Sequence, residues 1–326
     1  MRSSLVGLQV LVALALLSSL YFVSEISSSL HHDSTISMLN TLRFRRSKFH
    51  QPNKHDALDY TEAKDVLYNT TSGDPYFVLV VSGKLASGEY WCSDCEQARK
   101  PLDRAFASTG ARHLVVSVGS REDWVNASNP FRVGPLFRVD EIPALLRYDG
   151  DLHTTTLLTG GAFLSDEAML HAILTPPRAS PPTVLHLSTV QGLAMYFDTY
   201  AAAKSTYPLY VYFVSGTNPD GKLWCPFCAE AELPVMTYFE QFASDDAVLL
   251  RVVTASSLED WHRDDNPFNM QTIITISGLP MLIRAKPESF RQDSSAALEF
   301  QEYTAIYEET ALLKAFYQGE IYAEST

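Results

Sequence analysis

The chain has 326 residues, 46% of them hydrophobic, which suffices for two ordinary cores and excludes a wholly disordered polypeptide. Its formal net charge of −13 lacks the excess of clustered cations that a phosphate backbone requires, so nucleic acid is not an expected partner. Four cysteines are too few for the disulfide framework of a small secreted scaffold.

Residues 5–23 are nearly unbroken apolar sequence, interrupted by Gly7, Gln9, Ser18 and Ser19. At about 1.5 Å of helical rise per residue this stretch matches a bilayer core about 30 Å thick. Arg2 precedes it and Glu25 and Asp33 follow, a polarity that predicts a cytosolic N-terminus with the remainder in the lumen or outside. Residues 1–24 therefore read as a signal-anchor holding the chain in a membrane of the secretory pathway, or as a signal peptide whose removal gives a secreted protein. Residues 25–56 are rich in Ser, His and basic residues without periodicity and predict a mobile stalk. Within it, Arg43-Phe44-Arg45-Arg46 resembles the Arg-x-Arg-Arg signal of secretory convertases. In a lumenal chain Asn69, in Asn69-Thr70-Thr71, and Asn126, in Asn126-Ala127-Ser128, are N-glycosylation acceptors.

A first globular unit is predicted over 57–176. It has a helix over 57–68, a buried strand over 76–82, a helix over 92–107 and a second buried strand over 112–118. An antiparallel pair over 144–148 and 154–159 and a closing helix over 165–174 complete it. Residues 177–183 are a proline-stiffened linker. The order then repeats over 184–318, with helices over 188–203, 225–243 and 308–317 and strands over 209–214, 248–253, 281–285 and 298–303; residues 319–326 form a tail. The fold class is α/β, two tandem units with a central mixed sheet flanked by helices, after an N-terminal transmembrane helix.

The repeat holds residue by residue. Ser82-Gly83, Gly88, Trp91, Cys92 and Cys95 recur as Ser215-Gly216, Gly221, Trp224, Cys225 and Cys228. Glu122-Asp123-Trp124, Asn129-Pro130-Phe131 and Pro143 recur as Glu259-Asp260-Trp261, Asn266-Pro267-Phe268 and Pro280. Pro101 and Pro234, six residues after the second cysteine of each copy, predict a kink in the helix that follows.

All four cysteines fall in Trp91-Cys92-Ser93-Asp94-Cys95 and Trp224-Cys225-Pro226-Phe227-Cys228. With each first cysteine opening a helix, the second lies one turn on, on the same face, close enough to close a small disulfide. The first sulfur then faces unpaired N-terminal amides, which favour thiolate, and a thiolate attacks disulfides. A zinc ribbon would bring its two pairs much closer in sequence, so no metal is expected; an inert structural disulfide in each copy is the plainer alternative. The carboxylate of Asp94 is expected to oppose thiolate formation at the first site, whereas Phe227 adds apolar surface at the second. Trp91 and Trp224 are either platforms that meet substrate or packing against the helix start.

A strand, a Trp-Cys-x-x-Cys at a helix start, and Ile142-Pro143 or Leu279-Pro280 before a later strand together resemble the thioredoxin fold. The long Ser-Gly-to-Trp-Cys loop, Asp94, the Asn-x-Phe loop and Leu145-Leu146-Arg147-Tyr148 resemble the small thioredoxin-related family typified by thioredoxin domain-containing protein 17. That family's motif is Trp-Cys-Pro-Asp-Cys; here the first copy has Ser93 in place of the proline and the second has Phe227 in place of the aspartate. The resemblance implies that Cys92 and Cys225 are nucleophiles and Cys95 and Cys228 resolving thiols. It also implies that Pro143 and Pro280 are cis-prolines presenting backbone to an extended substrate. The expected activity is protein-disulfide reduction by redox-active disulfides with no bound cofactor. Its partners would be disulfide-containing proteins and an electron donor or acceptor, with the membrane engaged through the N-terminal helix. The alternatives are a redox-silent client-binding module of the secretory pathway and a disulfide oxidase or isomerase.

Overall fold

The computed structural model describes residues 54–57, 59–70, 75–148, 156–219, 221–271, 273–285 and 298–320. The predicted anchor over 1–24, the convertase-like signal, Thr71 of the first glycosylation tripeptide and nearly all of the stalk lie outside these residues. Among the described residues no helix is long and apolar enough to cross a membrane.

Two five-stranded sheets organise the chain. In the first, β1 (Lys54–Ala57), β3 (His113–Ser117), β2 (Tyr76–Val81), β4 (Ala144–Tyr148) and β5 (Thr156–Gly160) lie in the order β1-β3-β2-β4-β5. In the second, β6 (Thr183–Leu187), β8 (Val248–Val253), β7 (Leu209–Val214), β9 (Met281–Ala285) and β10 (Phe300–Glu302) lie in the equivalent order β6-β8-β7-β9-β10. In each sheet the first three strands run parallel, the fourth is antiparallel to them, and the fifth pairs antiparallel with the fourth. The duplication read from the sequence is thus a duplication of topology.

The central strands β2 and β7 are buried at every position, which is why they are continuous apolar runs with no polar alternation. One face of β2, through Tyr76, Val78 and Val80, packs with α1 (Tyr60–Tyr68), α3 (Arg121–Val125) and α4 (Pro130–Val133). The other, through Phe77, Leu79 and Val81, packs against α2 (Ser93–Thr109) and α5 (Glu167–Leu174). In the second sheet Leu209, Val211 and Phe213 pack against α6 (Val190–Ala202). Tyr210, Tyr212 and Val214 pack against α7 (Pro226–Phe242) and α10 (Thr310–Gln318). Among the described residues the second unit also holds the short helices α8 (Leu258–Trp261) and α9 (Pro267–Met270). Both α2 and α7 continue through Pro101 and Pro234 as single helices of 17 residues.

Helix α5 serves both interiors. Leu170 and Leu174 belong to the first core, while Met169 and Ala172 are buried with Val235, Tyr238 and Phe239 of α7 in the second. Gln241 Nε2 donates to Thr175 O at 3.4 Å, and Arg178 donates to Ala243 O and pairs with Asp245.

The predicted boundaries need correction at both edges. Residues 54–56, assigned to the stalk, belong to β1, and the helix expected to start at residue 57 starts at Tyr60, capped by Asp59, which accepts from the Thr61 and Glu62 amides. Thr183, the last residue assigned to the linker, opens β6, a strand placed in no predicted element, and the next helix begins at Val190. Both strands lie at sheet edges, paired on one side only, with short sequences that are largely exposed or half-buried, Lys-His-Asp-Ala and Thr-Val-Leu-His-Leu. The loops before the two prolines hold the short helices α3, α4, α8 and α9.

The interior is rich in tyrosine, and burial pushes the phenols of Tyr76, Tyr200 and Tyr210 up to about 12. A phenol held neutral in the fold and titrating near 10 when unfolded contributes stability that is complete below pH 10 and is lost as pH rises towards 12. The urea midpoint is therefore expected to be level from pH 7 to 8 and to fall steeply above pH 10. A midpoint that stays level to pH 12 would contradict this account.

Candidate dithiol sites

Each site begins at the end of a central strand. Ser82 and Ser215, 1% and 0% exposed, receive the backbone N–H of the first cysteine on Oγ, Cys92 at 3.2 Å and Cys225 at 3.3 Å. The adjacent glycines are required by close approach. A Cβ on Gly83 would lie 2.6 Å from Gly119 O, and one on Gly216 would lie 2.7 Å from Ala255 O. The same carbonyls accept the indole N–H groups of Trp91, at 2.8 Å, and Trp224, at 3.0 Å. The repeated Ser-Gly is thus a clasp: the serine holds the cysteine backbone and the glycine lets the strand end meet the loop that holds the tryptophan.

Cys92 and Cys225 are the N-caps of α2 and α7, with extended backbone and a sulfur that accepts from the amide of Cys95 or Cys228, 3.4 Å in each case. The sulfurs also face the residue before each proline: Cys92 Sγ lies 3.6 Å from Ile142 O and Cys225 Sγ 3.8 Å from Leu279 O. Both peptide bonds, Ile142–Pro143 and Leu279–Pro280, are cis. The geometry therefore gathers Cys92, Cys95, Trp91 and Pro143 in one place and Cys225, Cys228, Trp224 and Pro280 in another, while Asp94 is exposed one residue before Cys95.

The second cysteines are buried, 1% exposed for Cys95 and 0% for Cys228, and all four are free thiols. Burial raises the pKa of both second thiols well above the ordinary range, and the hydrogen bond each shares with its partner cysteine raises it further. The first cysteine of each pair is therefore the one that can meet another molecule. Cys92 is half-buried and Cys225 only 7% exposed.

The ground beneath the two sites differs. A cavity of about 180 Å³ lined by Lys84, Tyr90, Arg99 and Asp103 reaches Cys95 in the first domain. In the second, Tyr212 fills the position of Leu79, and Arg251, its neighbour across the sheet, donates to Glu232 Oε1 at 2.7 Å. The loop before each proline is pinned alike: Asn129 donates to Asp123 O and accepts from Phe131 N, both at 2.9 Å, and Asn266 does the same with Asp260 O and Phe268 N at the same distances. The sequence displayed both Ser-Gly and Asn-Pro-Phe twice, but assigned neither serine nor asparagine a task. Asn126 is exposed and its Oδ1 accepts from Ser128 N at 3.0 Å, while Asn69 caps the end of α1. Among the described residues no group of three or more His, Cys, Asp or Glu side chains is placed to hold a metal ion.

Two sheets of the same order, each delivering a cysteine pair to a helix start beside a cis-proline, make this a protein of two thioredoxin-like domains. The chain belongs to the thioredoxin domain-containing protein 17-like family of thioredoxin domains, whose model matches residues 56–174 and again 190–305. It is 28% identical over 88 residues to the thioredoxin-like protein Clot of Oryza sativa subsp. japonica, covering 25% of this chain and 63% of that protein. Over 79 residues it is 30% identical to thioredoxin domain-containing protein 17 of Homo sapiens, covering 24% of this chain and 63% of the relative. The Clot protein of Arabidopsis thaliana is 24% identical over 78 residues, 23% of this chain and 58% of the relative. The chain thus spans less than two thirds of the length of each of these relatives.

Proposed function

We propose that the chain is a thiol–disulfide oxidoreductase that reduces protein disulfides at two dithiol sites. One observation carries the reading: in both copies the first sulfur caps a helix beside a cis-proline, half-buried at Cys92 and 7% exposed at Cys225, while its partner lies one turn below, more deeply buried and protonated. Cys92 or Cys225, as thiolate, attacks one sulfur of a substrate cystine, breaking that S–S bond and forming a mixed disulfide; the departing substrate thiolate takes up a proton. Cys95 or Cys228 then loses its proton and attacks the first cysteine's sulfur, releasing the second substrate thiol and closing the protein's own disulfide. Two electrons pass to the substrate, and a dithiol donor must restore the pair. Trp91, Trp224 and the backbone at Pro143 and Pro280 border the sulfur and are the surfaces a substrate would meet.

Equilibrating the full chain with glutathione buffers of graded potential, then alkylating and weighing the peptides, tests the proposal. Two reversible two-electron transitions are expected, one linking Cys92 to Cys95 and one linking Cys225 to Cys228. A pair that stays reduced at every poise has no such activity. The burial of Cys225 favours a second reading for its domain alone, a client-holding module whose sulfur is silent, and the same titration separates the two.

The proposal extends to residues 5–23 as the membrane anchor, with both domains in a lumenal or extracellular space. There Asn126, exposed and in a turn with Ser128, would carry a glycan. A glycosidase is expected to lower the mass of the chain from secretory membranes; an unchanged mass speaks against this topology.

A further inference from the structure

The two sites share one frame, and two of the exposed side chains beside it differ in chemical class. Asp94 and Phe227 are the same position, one residue before the second cysteine, and both are exposed, Phe227 at 68%. Arg121 and Leu258 are also one position, the first residue of α3 and α8, each behind a serine cap, Ser120 and Ser257. Arg121 lies over the Trp91 ring, 5.2 Å from its centroid. Leu258 opens the helix three residues after Ala255, whose carbonyl holds the Trp224 indole, and is 57% exposed. Two charged residues beside the first site thus correspond to two bulky apolar residues in the second domain, whose own first cysteine is only 7% exposed.

We infer that the second site selects polypeptide segments whose cysteine is flanked by bulky apolar residues, with Phe227 and Leu258 as the specificity-determining side chains, whereas the first site takes polar segments. The inference rests on the proposed redox reading for the occupant: a site built to meet a cystine is met by the residues beside that cystine. Apolar surface left in water next to a reactive sulfur gains from being covered only when the substrate brings apolar flanks. Asp94 and Arg121 would lose hydration to such flanks and hydrogen-bond polar ones. A chain exposing apolar residues beside a cystine is one that has not buried them, so the second site suits unfolded clients.

The experiment uses the full chain in two forms, Cys92→Ser/Cys95→Ser to leave the second site and Cys225→Ser/Cys228→Ser to leave the first. Each form is given two fluorescence-quenched disulfide peptides, one with leucine and phenylalanine beside the cysteine and one with serine and lysine. The second-site form is expected to reduce the apolar peptide about tenfold faster than the polar one, and the first-site form to lack that preference. Phe227→Asp with Leu258→Arg should abolish the preference, and Asp94→Phe with Arg121→Leu should install it at the first site. All four positions are exposed, so the exchanges leave the cores untouched. Equal peptide ratios at both sites would overturn the inference. Thioether peptides that cannot be reduced, measured by binding, keep it testable if neither form shows redox activity: the same order of affinities supports the rim, and equal affinities sink it. Loss of the preference together with a dimer that Phe227→Asp dissolves would assign the patch to contact between copies instead.

Discussion

Changing Cys92 and Cys225 together to serine is expected to bring insulin-disulfide reduction by the chain down to the rate of the dithiol buffer alone, a loss on the order of a thousandfold. The reason is chemical. A serine hydroxyl in the same helix cap can still accept the amide of Cys95 or Cys228, so the fold is kept, but it does not ionise near neutral pH and cannot form a mixed disulfide. The single changes should be unequal, with Cys92→Ser the more costly, because Cys92 is half-buried and Cys225 only 7% exposed. Insulin precipitation followed by turbidity measures all three. Undiminished turnover in the double variant would remove the enzymatic reading.

The second large effect concerns the resolving step. Cys95→Ser and Cys228→Ser should each leave a client covalently attached through Cys92 or Cys225, persisting where the unaltered chain releases it quickly. In the unaltered chain the lifetime of that adduct should shorten with pH. Burial holds the second thiols far above their usual pKa, so at neutral pH only a small fraction is thiolate, and that fraction grows about tenfold per unit while pH stays below the pKa. Rapid quenching at pH 6, 7 and 8, followed by non-reducing electrophoresis, should show about a tenfold gain in release per unit. A rate indifferent to pH would mean that the thiol's proton is removed by a neighbouring base and not by solvent, and the Glu232–Arg251 pair below Cys228 would be the first place to look.

What the sequence disclosed follows from how strongly each feature is constrained. β2 and β7 are covered on both faces, so they had to be apolar throughout and were legible as strands. The cysteine pairs stood out because no other cysteine competes with them, and the duplicated landmarks tied each pair to a strand and a later proline. β1 and β6 escaped notice for the opposite reason: an edge strand is held by backbone bonds to one neighbour, which leave little mark on side chains such as those of Lys54 and His186. The clasp made by Ser82 and Ser215 was visible as a repeated dipeptide, but its purpose depends on a loop that returns 28 residues after Trp91 and 31 after Trp224, and no local pattern announces that. The rim exchange at Arg121 and Leu258 needed the aligned frames of both domains before its two halves could be seen as one site.

Helix α5 gives side chains to two interiors at once, and this ties the fates of the duplicated halves. A fragment that stopped short of it would strip Met169 and Ala172 from the second half as well as Leu170 and Leu174 from the first, and scission at the proline run would open a greasy seam on both pieces. What began as two copies is therefore no longer divisible, and the natural unit for expression, proteolytic dissection or inheritance is the pair.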